Sequence, residues 1–272
     1  MELKANFHTH TNLCDGSDPA EAVVKEAIKK GFTHLGFSGH MDPDIHMDFP
    51  AYVKLIKNLR EKYKNELEIL VGVELDTLYD KKLVEGAEYI IGSTHFMDVP
   101  SEIPMSVDNN TDMFETLCKN YYGGDYYRMT KAYYETEAKV FDNTGCTFVG
   151  HFDLITRFND QMHYFDESDP RYTMPALEVM EYLVKDKGLP FEINCGAYNR
   201  NRKADFYPNR FLLQNLHDFG AEILINADAH QKELLDGGFP DAILAAKACG
   251  FDHINILTKE GSDQVYLKPL GI

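Results

Sequence analysis

Short apolar runs alternate along this chain with stretches whose apolar residues recur every three or four positions. The first run, residues 3–7, stops at His8. Residues 19–30 follow as a predicted helix: Ala20, Val23, Val24, Ala27 and Ile28 fall on one stripe, Pro19 suits the first turn and Gly31 ends it. Residues 34–38 read as a strand that ends at Gly39-His40. The alternation then repeats. Helices are predicted over residues 52–63, 126–142, 175–187, 210–219 and 241–249. Strands are predicted over 69–73, 89–92, 147–150, 191–193 and 222–225, ending at Glu74, at Ser93-Thr94-His95, at His151, at Asn194 and at Asn226-Ala227-Asp228. Residues 97–112 read as a long polar loop, and residues 254–257 and 264–267 as two short closing strands.

Strands alternating with helices imply an α/β fold with a mainly parallel sheet. About seven units in a row, without a linker or low-complexity stretch, suggest one closed barrel over residues 1–272. An open doubly wound sheet is the alternative, but it would not gather polar groups from every strand end into one place. A barrel does, at its C-terminal mouth. Neither a GxGxxG nor a Walker loop is present.

The strand ends carry the chemistry. His8 and His10 lie two residues apart, which on a strand puts both imidazoles on one face. Asp228-Ala229-His230 repeats that spacing. His40, Glu74, His95 and His151 occupy the other ends, and Asp15 follows the first strand in its loop. One catalytic zinc needs three protein ligands, so this set suits two or three divalent ions, zinc, iron or manganese, with Glu74 able to bridge two of them. His34, His46, His163, His217 and His253 lack a partner motif and read as structural or surface residues; Cys14 and Cys195 lie near the motifs but are not needed as ligands. Arg157, Arg200 and Arg202 sit in loops after strand ends, where a guanidinium can hold a phosphate by two parallel bonds.

Composition narrows the partners. A formal net charge of -17 disfavours nucleic acid and anionic membrane surfaces. No stretch approaches the length of apolar residues that a transmembrane helix requires, and Met1-Glu2-Leu3-Lys4 lacks the layout of a signal peptide. Five cysteines without regular spacing fit a reducing compartment, so a cytoplasmic location is expected. Oligomeric state is not legible.

These motifs resemble, as a set and in order, those of the polymerase and histidinol phosphatase (PHP) family. The residues that carry the likeness are His8-Thr9-His10-Thr11 with Asp15-Gly16, Gly39-His40, Glu74, Gly92-Ser93-Thr94-His95-Phe96, Gly150-His151-Phe152-Asp153-Leu154-Ile155 and Asn226-Ala227-Asp228-Ala229-His230. Within that family the likeness is greatest to the histidinol-phosphate phosphatases of histidine biosynthesis. The resemblance implies a distorted seven-stranded, TIM-barrel-like α/β barrel and a trinuclear centre. His8, His10, Glu74 and Asp228 would hold one ion, Glu74, His95 and His151 a second, and Asp15, His40 and His230 the third. It further implies that a hydroxide bridging two ions attacks phosphorus, with catalytic roles for Glu74, Asp228 and His230 and substrate contacts from Ser93, Arg157, Arg200 and Arg202. Another small phosphomonoester, such as a nucleotide or sugar phosphate, is the alternative substrate. In place of the family's Gly-Leu-Arg-Lys-like run this chain has Gly196-Ala197-Tyr198-Asn199-Arg200-Asn201-Arg202-Lys203, which leaves open whether Arg200 or Arg202 meets phosphate.

Overall fold

A computed structural model describes residues 2–272. In chain order it contains β1 (Ala5–Asn6), α1 (Ala20–Lys29), β2 (His34–Phe37), β3 (His40–Met41), α2 (Phe49–Tyr63), β4 (Glu68–Asp76), β5 (Tyr89–Ser93), β6 (Phe96–Met97) and β7 (Met105–Ser106). Then follow α3 (Thr111–Tyr122), α4 (Tyr126–Glu137), α5 (Val140–Thr144), β8 (Phe148–Val149), α6 (Asn159–Met162), α7 (Pro170–Lys185), β9 (Phe191–Asn194), α8 (Gly196–Asn199), α9 (Arg210–Phe219), β10 (Ile223–Asn226), α10 (Phe239–Ala248), β11 (His253–Thr258) and β12 (Tyr266–Gly271).

The strands run β1-β2-β4-β5-β8-β9-β10 as parallel neighbours. This sheet curls until its first and last members meet. The seam is short: Thr9 and Ala229 form a parallel bridge, the Phe7 amide donates to the Asn226 side chain (2.9 Å), and the Ala227 amide donates to the Asn6 side chain (2.9 Å). The fold is therefore a distorted seven-stranded α/β barrel. β11 extends the sheet beyond β10, and β12 returns antiparallel along it. No helix among the described residues is long and apolar enough to cross a membrane.

Below the mouth the interior is filled by side chains. Tyr89, on β5, lies across the barrel with its hydroxyl donating to the Phe7 and Phe37 carbonyls at 2.7 and 3.1 Å. It stacks on Phe148 and meets Phe7 edge-on. Gly72, on the neighbouring strand, makes room: a Cβ there would overlap the tyrosine ring.

The structure revises several element boundaries. α2 begins at Phe49, because Asp48 caps the Ala51 amide (3.2 Å) and Pro50 occupies the first turn. α7 begins at Pro170, capped by Asp169, so that Pro175 lies inside the helix. The helix expected over 126–142 is two, α4 and α5, joined through Ala138 and Lys139. The loop expected over 97–112 contains the antiparallel β6–β7 pair, and α3 follows it, capped by Asn110 on the Met113 amide (2.9 Å) and ended by Gly123 at φ 68°. The last strand falls at Tyr266–Gly271 rather than 264–267.

Candidate metal centre

The seam builds the site. By joining residues 7–9 to residues 226–229 it sets His8-Thr9-His10 beside Asp228-Ala229-His230. The His10 and His230 rings stack at 4.1 Å between centroids, and His10 and His40 lie 4.5 Å apart. Asp228 adopts φ 47°, a left-handed conformation that costs a non-glycine residue about 1–3 kcal/mol and marks a position held by its surroundings. Gly196 permits it, because a side chain at 196 would collide with the Asp228 carboxylate.

Glu74, at the mouth end of β4, is the hub. Its Oε2 lies 3.0 Å from His8 Nε2, 3.4 Å from His10 Nε2 and 3.3 Å from His40 Nδ1. Its Oε1 lies 2.7 Å from His151 Nε2 and 3.3 Å from His95 Nε2. Asp228 Oδ1 stands 3.3 Å from His10 Nε2 and 3.7 Å from His8 Nε2. Asp15 approaches His230 Nε2 at 2.9 Å and His40 Nε2 at 3.7 Å. The eight residues expected at the strand ends, and Asp15 from the first loop, are thus brought together. Three overlapping groups converge within 4.8 Å: His8, His10 and Glu74; His40, Glu74 and His95; and His10, Asp15, His40 and His230.

The donor set fits cations. His8 Nε2, His10 Nε2 and His40 Nδ1 are buried and accept no hydrogen bond, although carboxylate oxygens lie close by. A buried imidazole nitrogen left so is costly unless something else takes its lone pair. The separations match the ~3.3 Å between ligand atoms around a tetrahedral ion with bonds of ~2.0–2.1 Å.

The supporting groups were not legible as such in the sequence. Glu192, on β9, lies 3.0 and 3.1 Å from His8 Nδ1 and also accepts from the His151 amide and the Asn194 and Asn226 side chains. A proton kept on Nδ1 leaves the Nε2 lone pair facing Glu74 and Asp228. Its one signal was a carboxylate in the middle of the apolar run Phe191-Glu192-Ile193. Asp76 accepts from the His95 amide at 2.8 Å. Ser93 is buried behind Glu74 and donates to its Oε1 at 2.8 Å.

Electrostatics follow from this packing. Burial pushes His8 down, but Glu192, Glu74 and Asp228 outweigh it and hold the imidazole up at about 10. Burial also opposes His10 and His95, and neighbouring carboxylates again carry both well above the usual range. His40 goes the other way: burial, with His10 and His95 adding to it, takes it to about 3. Burial favours protonation of Glu74, yet His8, His40 and His95 hold it well below the ordinary carboxylate range. An entering cation must displace protons from His8, His10 and His95, so its affinity falls as pH falls.

Above this floor opens a cavity of about 360 Å³, lined by Arg157, Arg200, Arg202, Asp108 and Tyr207 among others. Arg200 is occupied: it donates to the Asp228 carbonyl (3.1 Å) and His230 Nδ1 (3.0 Å) and pairs with the Asp228 carboxylate (3.4 Å). Arg157 and Arg202 have no carboxylate within 4.0 Å among the described residues. Asn201, at φ 52°, turns the chain between the two arginines of its loop. Cys14 lies at the edge of the centre, with Sγ 3.7 Å from His10 Nδ1, while Cys195 is buried.

Residues 6–195 match the model of the PHP domain. The histidinol-phosphatase of Bacillus subtilis is 21% identical over 262 residues, covering 84% of this chain and 94% of its own length. That of Lactococcus lactis is 24% identical over 247 residues, covering 84% of each. The solved structure of histidinol phosphate phosphatase from Lactococcus lactis, complexed with zinc, L-histidinol and phosphate, shares the fold with a TM-score of 0.73 at 20% identity, over 94% of this chain and 97% of that one.

Proposed function

We propose that this chain, which belongs to the PHP domain family, is a metal-dependent phosphomonoesterase that hydrolyses L-histidinol phosphate to L-histidinol and phosphate. The observation that carries the reading is the gathering of nine ligand-type side chains around Glu74, itself one of them, beneath two arginines without a carboxylate partner among the described residues. The substrate follows the histidinol-phosphatases to which the chain is similar along most of its length.

In this reading the whole chain is one phosphoesterase domain acting in the cytoplasm on a small molecule. His8, His10, Glu74 and Asp228 hold one ion, Glu74, His95 and His151 a second, and Asp15, His40 and His230 a third. Divalent ions of this kind supply Lewis acidity and lower the pKa of water to near neutrality; zinc, iron and manganese all suit mixed imidazole and carboxylate donors, and zinc is named with the Lactococcus lactis relative. The protein's own contribution is orientation. Glu192 keeps the His8 proton on Nδ1, Ser93 fixes one oxygen of Glu74, and Arg200 holds Asp228 and His230 in place. Glu74, Asp228 and His230 serve catalysis through that scaffold. Arg157 and Arg202 bind the non-bridging phosphate oxygens, whose charge a mouth lined with carboxylates would otherwise repel.

Phosphate release from a panel of small phosphomonoesters tests the reading. Histidinol phosphate should exceed nucleotide and sugar phosphates in kcat/KM by at least about tenfold. Comparable rates across the panel would leave a phosphatase but remove this substrate.

A further inference from the structure

Behind the arginines lies a lysine that the mechanism above does not use. Lys203 is 6% exposed, a rare environment for an ammonium group. Its Nζ donates to Thr156 Oγ1 at 3.0 Å, to the Thr156 carbonyl at 3.4 Å and to Asp160 Oδ1 at 3.1 Å. The other oxygen of Asp160 accepts from the Ala204 amide at 2.8 Å. These bonds cross between two loops. Thr156 ends the turn Leu154–Thr156 that leads straight into Arg157, whereas Lys203 directly follows Arg202. The turn's last carbonyl and hydroxyl are thereby satisfied from the neighbouring loop, and the carboxylate returns a bond to that loop's backbone. Arg157 and Arg202, by contrast, line the cavity without a carboxylate partner of their own among the described residues.

We infer that Lys203 is a positioning residue that locks the loops carrying Arg157 and Arg202 into one preformed oxyanion clamp for the phosphoryl group. The inference rests on the phosphatase reading but not on which phosphomonoester is the substrate. Two mobile arginines converging on a dianion lose side-chain and loop freedom on binding, and a staple formed beforehand removes part of that cost. The staple acts through the arginines and touches neither ligand-type residues nor substrate.

Inorganic phosphate is the probe. With the metal-loaded protein, its inhibition constant is measured for the parent, for Lys203→Met and for the paired variant Lys203→Met/Asp160→Asn, which also neutralises the carboxylate that pairs with Lys203 and stands in if the single variant does not fold. The inhibition constant should rise by about tenfold or more, the loss expected for charge-assisted bonds, while metal content stays at the parent value and kcat changes by less than about threefold. In an Arg157→Ala/Arg202→Ala background the same substitution should change the inhibition constant by less than about twofold, since both groups it acts through are already gone. An unchanged inhibition constant overturns the inference, as does a rise of equal size in the Arg157→Ala/Arg202→Ala background or a parallel loss of metal. If the parent itself does not bind phosphate, the phosphatase reading fails and the clamp with it; if the parent binds and Lys203→Met is normal, only the clamp fails.

Discussion

The floor and the rim of the cavity are built in opposite ways. On the floor His8, His10 and Glu74 are 0–2% exposed, and other side chains fix the centre: Glu192 on β9 holds His8, Ser93 on β5 holds Glu74, and Arg200, just after α8, holds Asp228. At the rim Arg157 and Arg202 face the cavity without a carboxylate partner among the described residues, their loops steadied from behind. The difference separates two tasks. An ion needs several donors within a few tenths of an ångström of their final places, so its ligands are fixed before it arrives. A substrate must enter and leave, so the groups that greet it stay free and their loops alone are fixed. Substitutions on the floor should therefore act through metal content, and substitutions on the rim through substrate.

The largest effect expected is that of Glu74→Gln. It keeps the shape of the hub and removes its charge, so metal occupancy should fall and turnover drop by at least ~100-fold. Near-normal turnover at full occupancy would show that floor and rim are not so divided. Arg157→Ala comes next: metal content intact, and kcat/KM lower by roughly 1.5–3 kcal/mol, with Arg157→Lys recovering only part. An effect within about twofold would leave Arg202 as the phosphate contact.

A smaller effect probes how dry the floor's supports are. Glu137 is buried under Thr94, beside His95 in sequence, and burial pushes its carboxyl up to about 8, the hydrogen bond from Thr94 only partly opposing. The unfolded chain releases this proton near pH ~4.3. Between those values the folded state holds a proton that the unfolded state lacks, so stability falls as pH rises from ~4.3 through 8 and is level above. Glu137→Gln should flatten this dependence. Unfolding free energies at pH 6 and pH 8 should show the parent losing at least about 1 kcal/mol more than the variant; equal losses would mean that Glu137 is solvated.

Much of this was legible in the chain because a barrel brings the ends of its strands together. Once His8, His40, Glu74, His95, His151 and Asp228 each stood at the end of an apolar run, one mouth had to collect them. What supports them was not legible. Glu192 meets His8 across 184 positions, and the amide groups of Asn6 and Asn226 that close the seam are as far apart as the barrel is long in sequence. A single sequence carries no mark of such pairings. Arg200 and Arg202 look alike in the sequence for the same reason: both line the cavity, but across the left-handed turn at Asn201 Arg200 is engaged by Asp228, while Arg202 has no carboxylate partner among the described residues. The helix Thr111–Tyr122 is weakly marked in the sequence although Asn110 and Gly123 bracket it, because its polar first turn continues the polar stretch before it.

Hydrolysis is expected to depend on metal ions held by the floor. Elemental analysis of purified protein, paired with phosphate release from histidinol phosphate before and after chelation and on stepwise return of zinc, iron or manganese, tests it most directly. Two or three ions per chain, activity abolished on stripping and recovered in step with reloading, is the result expected. Full activity with fewer than about one ion per chain would contradict it.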